Sequence, residues 1–290
     1  MPLSMVFQIE CIKAGTLLNA PGIYLHGAFN HFLGKALNGY TTQFKQIHDG
    51  QINPYTISTL YDLPIPQVGI GRQYQAPQLP IIQVAIRQKA WFRVTSLDPQ
   101  FDQYLLAWKQ HLDPATEHSA LLQLKDSFWY IRAIFTQPEQ HIFARQSSYG
   151  SLRVLANKTE GSQIQVRFTS PTSFSKNRGK HCLPDLNLCF QSWANRWNKF
   201  SADQISKQAI EEICEKSVVF DVELATIPFR MEGGKDHRGF VGSITIDTRY
   251  LTPNRRVDAF TLAIYSFYCA TGAGTPMGFG QTQPTILPKE

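Results

Sequence analysis

One pattern, β-α-β-β-α-β, runs along this chain twice, and that repetition constrains the fold more than any other feature. Residues 6–13 alternate as a strand does, with Phe7, Ile9 and Cys11 on one side. Residues 22–37 then take helical spacing. Leu25, Phe29, Phe32 and Ala36 make an apolar stripe, and His31, Lys35 and Asn38 share a polar line. Residues 55–60 are strand-like, 64–80 form a loop or insertion rich in Pro, Gly and Gln, and 81–94 hold a long strand or a hairpin. Asp98 and Pro99 open a helix whose buried face is Phe101, Tyr104, Leu105 and Trp108. A strand over 126–135 completes the first pass.

Residues 141–160 read as a bridge, and the pattern then restarts. Ile164, Val166 and Phe168 point one way along a strand at 163–169. Helical stretches follow at 186–200 and 202–216; the aromatic stripe Phe190, Trp193, Trp197 and Phe200 has the spacing of a packing surface. Strands at 218–229 and 239–247 flank a turn at 231–238, which predicts a hairpin. Thr252-Pro253 starts a helix with Val257, Phe260, Ile264 and Phe267 on its stripe, and a last strand covers 280–286. The expectation is an α+β protein of two tandem ferredoxin-like (RRM-like) βαββαβ domains, residues 1–144 and 145–290. Such split βαβ units present RNA-binding faces.

Between the last helix and the last strand lies Thr271-Gly272-Ala273-Gly274-Thr275-Pro276-Met277-Gly278-Phe279-Gly280-Gln281. Its glycines let backbone approach a ligand, so it is either a plain turn or a loop that offers N–H groups to a phosphate-rich polymer. The charge balance of +6 suits a polyanionic partner. With 43% hydrophobic residues the chain is globular, and 290 residues suffice for two domains. The first residues carry no signal-peptide pattern and no apolar run is long enough to span a bilayer, so a cytoplasmic protein is expected. Cys11, Cys182, Cys189, Cys214 and Cys269 are scattered without a Cys-x-x-Cys pair, which points to reduced thiols; neither a metal nor another cofactor is expected.

Four blocks carry a resemblance to a known family. The first is Leu25-His26-Gly27-Ala28-Phe29, leading to Ile47-His48-Asp49 and Asn53-Pro54-Tyr55-Thr56-Ile57-Ser58. The second runs from Val166-Arg167-Phe168-Thr169-Ser170-Pro171-Thr172-Ser173-Phe174 through Leu183-Pro184 to Trp197-Asn198-Lys199-Phe200. The third is Gly239-Phe240-Val241-Gly242, and the fourth is the glycine run. In this order they resemble the CRISPR-associated endoribonucleases of the RAMP group, which cut precursor CRISPR RNA within its repeats. That resemblance implies two tandem ferredoxin-like domains and a metal-independent endoribonuclease. Attack by the 2′-hydroxyl would leave a 2′,3′-cyclic phosphate and a 5′-hydroxyl on the mature crRNA. The implied partners are the precursor repeat and subunits of a CRISPR interference complex; a homodimer is left open. The chain departs from many relatives at Ala273 and Thr275, where they carry Lys or Arg, so its loop would contribute backbone contacts more than charge.

Cleavage of this kind needs a base, an acid and positive charge at the phosphorane-like transition state, and histidine moves protons well at neutral pH. The resemblance assigns the catalytic histidine to His48, in a polar loop before Asp49-Gly50. His26 either completes an acid–base pair or is a helix-surface residue; Lys35 either faces the transition state or is solvated. Which histidine is acid and which base stays open. For RNA binding, Lys176, Arg178 and Lys180 share one glycine-containing loop, Arg167 precedes it, and Arg230, Lys235 and Arg238 flank the hairpin turn. Gly272, Gly274, Gly278 and Gly280 would add backbone contacts. The alternatives are a non-catalytic RNA-binding RAMP subunit of a CRISPR ribonucleoprotein, or a mononucleotide enzyme. The latter lacks a Gly-x-x-x-x-Gly-Lys-Ser/Thr run.

Overall fold

Leu3, Met5, Phe7, Ile9 and Cys11 of β1 (Leu3–Lys13) are all fully buried, and their side of the strand builds the first core. The computed structural model describes residues 1–36, 52–63, 81–111, 120–176, 179–230 and 236–288. After β1 come β2 (Gly15–Leu18), α1 (Gly22–Ala36), β3 (Tyr55–Ile57), β4 (Ile81–Val84), β5 (Lys89–Ser96), α2 (Pro99–His111), β6 (Leu121–Leu124), β7 (Ser127–Phe135) and β8 (Arg145–Gln146). The second half holds α3 (Tyr149–Lys158), β9 (Gln163–Thr172), β10 (Phe174–Lys176), β11 (Gly179–His181), α4 (Leu186–Phe200) and α5 (Lys207–Lys216). It ends with β12 (Val218–Arg230), β13 (Asp236–Asp247), α6 (Pro253–Cys269), a 3-10 turn (Thr275–Met277) and β14 (Thr282–Leu287).

Two antiparallel sheets share one strand plan. The first runs β3-β5-β1-β7-β6 with β8 on the end of β1, and the second β12-β13-β9-β14. In each, the opening strand lies between a later inner strand and the closing one. Phe7 and Phe92 stack across the first sheet at 4.9 Å between centroids. The second core rests on α4 and α6: Phe190, Trp193 and Trp197 are fully buried, and Trp197 meets Tyr265 edge-on at 5.3 Å. Each such side chain contributes about 1.5–3 kcal/mol of burial. Asp185 caps α4 by accepting from Leu188 N at 3.0 Å, which fixes where the aromatic stripe begins.

Several expectations are corrected. Residues 81–94 are neither one strand nor a hairpin. β4 pairs with β2 and β5 pairs with β1, so the turn between them, with Arg87 at φ 68°, carries the chain from one partner to another. The bridge at 141–160 contains α3, capped by Ser148 and packed against α6. β6 adds an edge strand beyond the expected pattern, joined to β7 as a tight hairpin. The stretch at 202–216 becomes helical only after Ser206, whose hydroxyl caps α5. The last strand starts at Thr282, because Gly280 and Gln281 still belong to the loop. Of the turn expected at 231–238, residues 236–238 already belong to β13; residues 231–235 lie outside the described residues, as do Asn38, residues 64–80 and the side chains of Phe32, Ala36 and Trp108.

The halves meet through hydrogen bonds. Thr95 Oγ1 donates to Tyr268 O at 2.7 Å, Tyr61 OH lies 3.2 Å from Thr169 Oγ1, and Asn19 Nδ2 donates to Pro228 O at 2.8 Å. At the centre Arg93, 1% exposed, donates through Nε and Nη2 to Gln281 Oε1 at 3.0 and 2.9 Å. Gln281 in turn donates through Nε2 to Ile57 O at 3.2 Å. The guanidinium lies over Phe267 at 4.2 Å, and no carboxylate among the described residues pairs with it. Burial pulls its pKa down to about 10, so it stays charged at neutral pH.

Candidate functional site

The glycine run, the start of α1 and the turn end of the β12–β13 hairpin converge. Two glycines make the approach possible. A methyl group on Gly22 would stand 2.5 Å from Gly278 Cα, and one on Gly278 would stand 2.8 Å from Gly22 Cα. Gly278 also has φ +91°, which a side chain would strain. Around this contact Ala20, Phe229 and Phe279 form a small buried cluster, joined by Ile23 and Met277. Phe229 and Phe279 lie 4.5 Å apart and Phe229 stacks on His237 at 5.6 Å, so the strands of the hairpin reach the place where loop and helix touch just before their turn.

The loop is built into the second half. Gly272 N donates to Ser192 Oγ and Ala273 N to Ser173 O, both at 2.9 Å, while Gly280 N donates to Pro171 O at 3.1 Å. Arg196 Nη2 donates to Gly272 O at 3.0 Å. The amides of Gly272 and Gly280 are thus engaged inside the protein, and these two glycines shape the loop. Gly274, at φ +74°, heads the 3-10 turn, and its carbonyl accepts from Met277 N at 2.8 Å.

One helical turn beyond Gly22 stands half-buried His26. Asn30 Nδ2 lies 3.1 Å from His26 Nε2, and Tyr55 OH donates to Asn30 Oδ1 at 3.2 Å. An amide NH₂ only donates, so with the Asn30 oxygen engaged by Tyr55 this contact uses Nε2 as its acceptor. Tyr55 stacks near the imidazole at 6.4 Å, and burial pushes its phenol well above the usual range, so it remains a donor. The chain from Tyr55 through Asn30 fixes the ring at Nε2, while the other ring nitrogen, Nδ1, is buried.

Of the cations expected to bind RNA, three have described side chains. Lys180 is exposed on β11, with Nζ 3.3 Å from Ser175 Oγ, and Cys182 Sγ contacts Arg238 O at 3.2 Å, which draws the β10–β11 hairpin to the base of β13. Arg238 is exposed there. Arg167 is exposed on the sheet face opposite Val166 and Phe168, two residues before the Thr169 that meets Tyr61. His48, Arg178 and Lys235 lie outside the described residues, and so do the side chains of Lys35, Lys176 and Arg230. Sequence reasoning missed Asn30 and Tyr55. Asn30 was visible as the residue four after His26; Tyr55 reaches it only through the fold.

Among the described residues no group of three or more His, Cys, Asp or Glu is placed to hold a metal ion. No described helix is long and apolar enough to cross a membrane.

Residues 166–282 match the family model of the CRISPR-associated endoribonuclease Cas6. No curated protein sequence matches significantly. Among solved structures the chain is similar to a Cas6 product complex, at 22% identity and TM-score 0.74 over 98% of this chain and 100% of that one. It is similar to Thermus thermophilus Cas6 at 20% identity and TM-score 0.69, covering 98% of each. It is also similar to a RAMP protein described as binding different RNA substrates, at 9% identity and TM-score 0.57, over 98% of this chain and 99% of that one.

Proposed function

We propose that this chain, Cas6-like in its matched segment and in its fold, is an endoribonuclease that processes CRISPR repeat RNA. The observation that carries the proposal is the family match over 166–282 joined to the seating of its glycine loop beside the helix that bears His26. The match supplies the reaction class, and the seating brings an oriented imidazole to the loop and the basic hairpin.

RNA brings its own nucleophile. In the proposed step a base removes the proton of the 2′-hydroxyl, the oxygen attacks the adjacent phosphorus, and the P–O5′ bond breaks. A protonated group delivers a proton to the leaving 5′-oxygen. The products are a 2′,3′-cyclic phosphate and a 5′-hydroxyl, and atoms balance without water or metal. His26, held at Nε2 by Asn30, is assigned to one of the two proton transfers, and His48 is its proposed counterpart. Lys35 is assigned to the charge on the phosphorane. Arg167, Lys176, Arg178, Lys180, Arg230, Lys235 and Arg238 are assigned to phosphates, and Gly274 and Gly278 to close backbone approach.

The shared strand order supports reading residues 1–144 and 145–290 as tandem ferredoxin-like units, with β8 contributing back to the first sheet. The proposed partner is the precursor repeat, in the cytoplasm.

A synthetic repeat with a single deoxynucleotide on the 5′ side of the cut tests the chemistry. Cutting of the ribose repeat in EDTA, abolished by that one substitution, is expected. Cutting that survives the substitution, or that requires magnesium, overturns the mechanism. The second reading is a RAMP subunit that binds RNA without cutting it, and the RAMP relative described by its RNA binding favours it. It would show as tight binding with the repeat left whole.

A further inference from the structure

On the side of α1 away from Leu25 and Phe29, a groove of about 380 Å³ opens between the helix and the β6–β7 hairpin. Tyr24, Gly27 and His31 line it from α1, and Leu122, Gln123 and Lys125 from the hairpin. None of these six takes part in the chemistry proposed above.

The lining is arranged for a flat, partly polar group. Tyr24, Gly27 and His31 are three and seven residues apart and so share a helical face. Gly27 sits in a helix interior, where glycine is disfavoured, and a methyl group there would meet no atom of the described residues within 4 Å. Its missing side chain leaves the groove open beside the Tyr24 ring. The opposite wall is braced. Thr16 N donates to Asp126 Oδ1 at 2.7 Å, Lys125 Nζ donates to Thr16 Oγ1 at 3.0 Å, and Gln123 Nε2 donates to Lys125 O at 3.2 Å. That leaves Gln123 Oε1 able to accept. The Lys125 charge stands next to the Asp126 carboxylate, and the mixed signs disfavour a phosphate. An aromatic ring, an amide and an apolar floor suit the ring of a nucleobase.

We propose that this groove is a nucleobase subsite, which seats one unpaired base of the bound RNA against Tyr24 and Gln123. The proposal rests on the chain binding repeat RNA, as argued above. His26 and Asn30 lie on the neighbouring face of the same helix, so the base seated here belongs to a nucleotide close to the one His26 acts on.

The test is an abasic scan. A repeat made uncleavable by the deoxy substitution is prepared with each nucleotide in turn lacking its base, and affinities are measured by fluorescence anisotropy. Gly27→Leu fills the groove, and leucine favours a helix more than glycine does. Tyr24→Leu keeps the bulk and removes the ring. On wild-type protein one abasic position near the cut should lose on the order of tenfold in affinity, a typical value for one stacked base. Gly27→Leu should lose as much on intact RNA and nothing further at that position, and Tyr24→Leu should follow it. If Gly27→Leu binds intact RNA as wild type does, or keeps every abasic loss, the subsite is refuted. Binding without cutting of an all-ribose repeat would defeat the endoribonuclease reading alone, since the subsite is read from affinities. No binding of any repeat would overturn both.

Discussion

Gln281→Leu should destabilise the protein more than Arg93→Met, although both break the same contact at the centre of the seam. Gln281 is fully buried and is the acceptor for two N–H groups of a guanidinium that is itself 1% exposed. Arg93 Nη1 has no hydrogen-bond partner among the described residues. Replacing Gln281 by leucine leaves the cation buried over the rings of Phe267 and Phe143 without that acceptor. Stranding a buried charge in this way costs about 3–5 kcal/mol. Removing the arginine instead forfeits the two charge-assisted bonds, worth roughly 3 kcal/mol together or somewhat more. It also relieves the penalty of burying the charge. The lowering of its pKa to about 10 corresponds to roughly 3 kcal/mol. What remains is an unsatisfied Gln281 oxygen, at about 1–3 kcal/mol. The expected order is therefore Gln281→Leu worst, Arg93→Met milder by about 2 kcal/mol, and the double variant no worse than Arg93→Met. Urea unfolding at neutral pH, followed by tryptophan fluorescence, measures all three. An Arg93→Met loss equal to or larger than that of Gln281→Leu would refute the reasoning and make Arg93 a net stabiliser.

Other consequences follow from the site. His26→Ala should slow repeat cleavage by about 10²–10⁴ with affinity largely kept, read in single-turnover assays; unchanged cleavage would remove His26 from the chemistry. Gly278→Val meets both the Gly22 contact and the positive φ, and should cost about 2–4 kcal/mol; a thermal melt within error of wild type would show that the loop has another seat. If Arg167, Lys180 and Arg238 each hold one phosphate of a single strand, each charge-removing variant should flatten the log Kd against log salt slope by about 0.7, and a variant with an unaltered slope touches no phosphate.

What could be read from the residues followed the range of the forces involved. Phe7, Ile9 and Cys11 alternate because one face of β1 is buried, and that burial is as regular as the strand. Phe190, Trp193 and Trp197 announce α4 because a helix repeats its core contact every turn. α3 gave no such signal: only Leu152 and Ala156 are buried, while Val154 and Leu155 face solvent. The strand character of residues 81–84 was legible, but the choice of β2 as partner was made by the geometry of β1 and not by local sequence. Arg93 sits where alternation predicts a solvent-facing side chain, and it is buried because the second half packs over that face. His26 could be picked out as a residue type; its orientation by Asn30 and Tyr55 required the helix to be laid on β3.

The paired glycines have a consequence for biosynthesis. The loop that seats α1 is made long after the helix itself, at the other side of the second sheet. While the ribosome is still adding the intervening strands, the nascent helix has nothing to rest its first turn against. A chain released before Gly278 would carry His26 without the neighbour that fixes where its helix begins, so an incomplete translation product is deprived of the assembled site by construction.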